Sequence, residues 1–250
     1  MPRVPSLRAL SAVLAEGAPA SADMKARIAG FLYLIVIVGG IFAQIFVRDA
    51  LVVSGNAAAT ASNITAHELR YRLGFAVEVF YLLCNVPLTL LIFDVFKVVN
   101  RKLMLLAALF SVVGTAVEGV SLLAHYAPLI LLGKSATLTA FTAEQLQAAA
   151  YLSIRMFDYG FMIALAFFGW FCILLGTVIV RSTFFPRFVG VLLWIEGIAY
   201  LVNSFANFIA PAVGAKVFPF LLVSGLAEIS FCLTLLIAGV NVPRWTQQAR

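Results

Sequence analysis

The chain has 250 residues, of which 63% are hydrophobic and only 11% charged, and its mean hydropathy is +1.06. A soluble domain carries about 25% charged residues, so this chain has too little polar surface for a water-facing globule and is an integral membrane protein. Its formal charge of +6 does not indicate nucleic acid, because the basic residues sit in loops, where they orient a membrane chain.

In chain order, "MPRVPSLRALSAVLAEGAPASAD" lacks the basic-then-apolar design of a signal peptide. Residues 1–24 are expected to be a disordered cytoplasmic tail, and Met24 would itself make a credible start. A chain beginning there is expected to insert and to match the full chain in stability. A membrane-spanning helix needs about 20 predominantly apolar residues. Six segments qualify, roughly 28–47, 73–99, 103–132, 157–180, 188–212 and 218–240. The predicted fold is all-α, a six-helix transmembrane bundle over residues 25–245 with a short cytoplasmic tail at 246–250. Thr65 with Glu68, and Thr142 with Gln145, fit the capping-box pattern. Both long loops should therefore feed helices that begin before the membrane does. Pro87 is expected to kink the second helix, and Gly39, Gly40, Gly169 and Gly176 to permit close helix packing.

Threading six spans puts Arg3, Arg8, Lys25, Arg27, Lys97, Arg101, Lys102, Arg181, Arg187, Arg244 and Arg250 on one side. Arg48, Arg70, Arg72, Lys134, Arg155 and Lys216 fall on the other. The richer side is expected to be cytoplasmic, with both termini inside, in the inner membrane of the cell. Cysteines placed at Ser62 and Ser135 should then react with an impermeant thiol reagent in intact cells. Labelling only after lysis would reverse the orientation.

Polar residues within the spans follow helical spacing. Glu196, Tyr200, Asn203 and Asn207 are separated by four, three and four positions and share one face. Glu78, Tyr81, Asn85 and Thr89 repeat the device in the second span. Glu118, Ser121 and His125 line one side of the third, Ser224 and Glu228 the sixth, and Arg155, Asp158 and Tyr159 open the fourth. A carboxylate at a helix centre costs about 2.5–3.5 kcal/mol on the insertion scale. Facing lipid is therefore disfavoured, and the stripes are expected to converge on a pocket open to the non-cytoplasmic side. Desolvation and mutual repulsion both favour the neutral acid there. Glu196, Glu118 and Glu228 are the candidate proton-handling groups. Asp94 is set apart as an interfacial charge paired with a nearby base such as Lys97.

Other chemistries lack their signatures. There is no HExxH, nucleophile elbow or P-loop. Cys84, Cys172 and Cys232 sit in apolar runs without CxxC spacing and read as packing residues. Glu118, Glu196, Glu228 and His125 have metal-binding side chains but no recognised ligand spacing, so no metal or cofactor is expected.

The stretches "ARIAGFLYLIVIVGGIF", "VNRKLMLLAALF", "TAEQLQ", "FVGVLLWIEGIAYLVNSFANF" and the ending "GVNVPRW" together resemble a bacterial six-helix membrane family, domain of unknown function 4386. The resemblance runs from about residue 25 to 245. It implies the span count and a start near Met24, and it implies no reaction. Three functions fit the residues. The first is binding or transport of a proton, cation or small polar solute. The second is an enzyme using a buried carboxylic acid on an isoprenoid or lipid. The third is a non-catalytic scaffold. Expected partners are the lipid bilayer and a small ligand, ion or lipid, and assembly into a homo-oligomer stays open.

Overall fold

Inside lipid a backbone amide has no water to bond, so a spanning segment must satisfy its own hydrogen bonds as a helix or close into a barrel. A computed structural model describes residues 19–133, 138–217 and 222–250, and those residues form helices and no strand. The first apolar rod, α1 (Pro19–Ile41), continues through a wider π-helical stretch, Phe42–Arg48, and a last turn, Asp49–Leu51. A short helix, α2 (Ala57–Ala66), precedes α3 (Glu68–Phe96), which runs through Pro87 as one helix. Next come α4 (Arg101–Leu131), α5 (Ala143–Arg181), α6 (Arg187–Ile209) and α7 (Pro211–Val217). The chain ends in α8 (Leu222–Leu233), its π-helical continuation Thr234–Ala238, and α9 (Val242–Gln248).

Five of these, α1 with its extension, α3, α4, α5 and α6, are long and apolar enough to cross a membrane. The α8–α9 pair, bent by 103°, makes a sixth if it counts as one span. The protein is therefore a polytopic helical membrane protein with five or six spans. Its outward face agrees with that class. Leu123 is 73% exposed and Ile209 80% exposed, and many other large apolar side chains join them, more than a soluble monomer presents to water.

Local chemistry sets the helix ends. The Thr142 hydroxyl accepts from the Gln145 amide at 3.3 Å, and the Gln145 side chain accepts from the Thr142 amide at 2.9 Å, a complete capping box. The Thr65–Glu68 pattern is not one. Thr65 lies inside α2 and donates to the Ala61 carbonyl at 2.8 Å, and α3 starts after His67 with no side-chain cap. The working cap in this loop is Asn56, whose side chain accepts from the Ala59 amide.

The basic residues at one end are tied into the bundle. Lys25 and Lys97 both donate to Asp94, at 2.7 and 2.8 Å, the paired state expected of that acid. Arg27 donates to the Leu236 and Ile237 carbonyls at 3.2 and 2.9 Å, groups made available where the helix widens into its π-helical stretch. Asp23 accepts from Arg27 and from the Val240 amide just past Gly239, whose φ of +64° suits glycine. The segment read as a tail thus differs from expectation in its last residues: α1 begins at Pro19, and Ala22 is buried. Residues 1–18 of that expected tail lie outside the described residues. A chain beginning at Met24 would lack the Asp23 tie between α1 and the end of α8.

Helices α5 and α6 meet along two glycine pairs. A Cβ on Gly176 would fall 2.6 Å from the Gly190 carbonyl oxygen, and one on Gly169 would fall 2.9 Å from that of Gly197. Gly39 faces Tyr81, where a Cβ would sit at 3.2 Å, but Gly40 opens on free space and packs against nothing within 4 Å. The packing role expected of Gly40 is therefore not its role. Gly176→Leu should force the helices apart and lower stability by about 1–3 kcal/mol or more, whereas Gly40→Ala should leave it unchanged. Thermal midpoints of the two purified variants check this, and equal midpoints would contradict the close contact.

Candidate functional site

The polar stripes pair across helices in two groups. The first is a ladder between antiparallel α3 and α4. Glu78 meets His125 through one carboxylate oxygen and the imidazole Nδ1, and Tyr81 donates its hydroxyl to Glu118. One turn further, Asn85 donates to Thr115 at 2.7 Å, and Thr89 and Ser111 share a hydrogen bond of 2.8 Å. Helical periodicity explains this order: each step of three or four along α3 is answered by a step along α4 running the other way.

Arg48 completes the upper rung. It reaches the other carboxylate oxygen of Glu78, and its guanidinium lies 4.9 Å from the centre of the Phe157 ring. Gln44 accepts from Arg48 Nε and Nη2, at 3.0 and 2.7 Å, and donates to Asp49 at 2.7 Å. Arg48 is the last residue of the π-helical stretch near the end of the long α1 rod, and it is buried. Glu78 and His125 are fully buried (0% exposed) and Glu118 is 3% exposed. Tyr71 holds the neighbouring backbone by donating to the His125 carbonyl at 2.7 Å. His125 Nε2 is buried without a hydrogen-bond partner among the described residues.

The second group draws on α1, α5, α6 and α8. Tyr200 donates to Glu228 at 2.8 Å. Glu196, 1% exposed, has neither carboxylate oxygen hydrogen-bonded among the described residues. Its electrostatic neighbours are Glu228, Tyr200 and Cys172, and Tyr33 lies within reach of both acids. Asn203 is buried, and Asn207 donates back to its carbonyl at 2.8 Å. Cys232 donates to the Gly30 carbonyl at 3.3 Å, which ties α8 to α1 at this depth.

Arg155 and Asp158 form a one-turn pair of 2.9 Å at the surface of α5, with Asp158 in electrostatic reach of Arg48 and His125. The residues expected to share one pocket are thus divided. Glu78, Tyr81, Asn85, Glu118 and His125 belong to the ladder, with Arg155 and Asp158 beside it, while Glu196, Tyr200, Asn203, Asn207 and Glu228 belong to the second group. Glu118 and His125 are in one group and Glu196 and Glu228 in the other, and among the described residues no three His, Cys, Asp or Glu side chains gather as metal ligands would. Reading the sequence alone missed Arg48, which resembles any loop arginine after an apolar run, and missed Tyr33 and Cys172, which carry no polar spacing of their own.

The fold and these groups define a multi-pass helical membrane protein with ionisable side chains buried inside its bundle. The chain matches the family described as "Domain of unknown function (DUF4386)" over residues 28–239, and it belongs to that family. Neither a curated protein nor a solved structure matches it.

Proposed function

We propose that the protein binds a small cation in exchange for a proton at the Glu196–Glu228 pair and carries it across the cell's inner membrane. The carrying unit is a six-helix bundle with both termini on the cytoplasmic side. One observation carries this reading: Glu196 is buried with neither carboxylate oxygen hydrogen-bonded to a donor among the described residues, and a second acid, Glu228, which accepts from Tyr200, lies in electrostatic reach of it. Two carboxylates sharing a low-dielectric site without a base do not both ionise, so the pair holds a proton. Four oxygens, two from Glu196, one from Glu228 and the Tyr200 hydroxyl, offer the hard ligands that alkali and alkaline-earth cations prefer. Binding such a cation releases the proton, which keeps the buried charge low. The test uses proteoliposomes with a pH dye inside and a sodium, potassium, lithium or calcium salt added outside. One of the four should make the lumen alkaline with wild type and not with Glu196→Gln. No response to any of the four would refute exchange.

A second reading rests on a different feature. An open apolar groove of about 340 Å³ between α1 and α3 is lined by Leu34, Val38, Phe80 and Tyr81 among others. Tyr81, at its wall, is the residue that donates to Glu118. This arrangement suits an enzyme in which Tyr81 turns its hydroxyl to give a proton to an isoprenoid or lipid and is reprotonated by the neutral acid Glu118. The two readings differ in sign. Cation affinity rises with pH because a proton must leave, whereas turnover by a general acid falls as the acid is lost.

A further inference from the structure

At the basic end of the bundle, away from both acid groups, α9 folds back under the turn between α5 and α6. Gln248 fastens it: its side-chain oxygen accepts from the Thr183 amide and hydroxyl, both at 2.9 Å, and its amide donates to the Arg181 carbonyl at 3.3 Å. Trp245 anchors the same helix by donating to the Val95 carbonyl at 2.8 Å. The fold-back borders an open surface groove of about 630 Å³ lined by Ser182, Thr183, Arg187, Arg244 and Gln248.

Neither arginine has an acidic partner among the described residues. Of the acidic side chains described at this end, Asp94 is engaged by Lys25 and Lys97 and Asp23 by Arg27 and the Val240 amide. Arg244 reaches only the Thr183 carbonyl, at a long 3.4 Å, and Arg187 has no hydrogen bond or ion pair among the described residues. Two guanidiniums on one groove, each with a planar fork of donors, match the oxygens of a phosphodiester. Thr183 adds a hydroxyl, and the start of α6 behind Pro186 has no side-chain cap, so its helix dipole favours an anion at the groove. Phe188, next to Arg187 in the chain, is 59% exposed, so apolar surface suited to acyl chains adjoins the charged groove.

We propose that this groove is a binding site for the headgroup of an anionic phospholipid, held by Arg187 and Arg244 where helix ends meet the membrane surface. The ligand chemistry is a phosphodiester attached to acyl chains, and it does not depend on what the buried acids do.

The full chain in a neutral detergent is titrated with dioctanoyl phosphatidylglycerol, dioctanoyl phosphatidylcholine or inorganic phosphate, and bound lipid is counted by native mass spectrometry. Wild type should bind the phosphatidylglycerol at least tenfold more tightly than the phosphatidylcholine. R187Q/R244Q should lose that preference while keeping its lipid-free thermal midpoint, and R187K/R244K, which keeps the charge without the planar fork, should fall between the two. Neutralising Arg101 and Lys102, basic residues outside the groove, should leave the preference intact. Equal binding of the two lipids would overturn the proposal. So would an unchanged preference in R187Q/R244Q, or equal loss on neutralising Arg101 and Lys102. Inorganic phosphate competing as well as the lipid at equal concentration would assign the groove to free phosphate and overturn the lipid as its source.

Discussion

Replacing Arg48 with alanine is expected to destabilise the folded protein by about 3–5 kcal/mol. The change removes the guanidinium facing Glu78, whose side chain is fully buried. Among the described residues Glu78 would keep only its contact with His125, and a buried carboxylate that loses its cation has no water to replace it. Cost comes less from the lost attraction than from the stranded charge, and that difference gives the prediction its sharpest form. Arg48→Ala combined with Glu78→Gln should recover most of the loss, because the amide has no charge to strand. Denaturation of the purified variants in one detergent measures both numbers. A single-variant loss below about 1 kcal/mol, the range of exposed pairs, would mean that Arg48 and Glu78 meet in contact with water.

Glu196→Gln should behave in the opposite way, with stability retained and function lost. Its carboxyl oxygens make no hydrogen bonds among the described residues, so the amide surrenders none. The side chains are nearly isosteric, and the expected change in stability is within about 1 kcal/mol. Cation-driven proton movement should disappear, because an amide neither binds nor releases a proton in this range. Glu118→Gln separates the two groups. Its contact with Tyr81 survives as a hydrogen bond to the amide oxygen, so stability should again hold. Loss of activity in Glu118→Gln with full activity in Glu196→Gln would transfer the chemistry to the ladder and favour the lipid enzyme.

Much of this architecture is legible in the residues because lipid narrows the choices. Long apolar runs admit one backbone solution each, and the five longest helices lie where the runs do. Spacing on α3 was equally informative, since Glu78, Tyr81, Asn85 and Thr89 do share a face and all meet α4. Spacing identifies a face and leaves its partner open. Nothing in the α6 stripe says that it packs on α5 and α8 rather than on α3, and the expectation of a single shared pocket assumed that it reached both. Arg48 was hidden for a related reason. Its position follows from the π-helical stretch of α1, and the sequence Phe42–Arg48 carries no proline or glycine to mark one. Thr65 shows the limit of short patterns: the spacing to Glu68 is right, but α2 is still running at that point.

Proton release on cation binding tests the central claim most directly. The purified protein in weakly buffered detergent solution is given sodium, potassium, lithium or calcium, and a pH dye records the protons set free. Exchange at the acid pair predicts acidification with at least one of these cations in wild type, tighter binding as the starting pH rises, and no release from Glu196→Gln. A wild-type protein that releases no proton with any of the four, or a Glu196→Gln variant that releases as many, would contradict it.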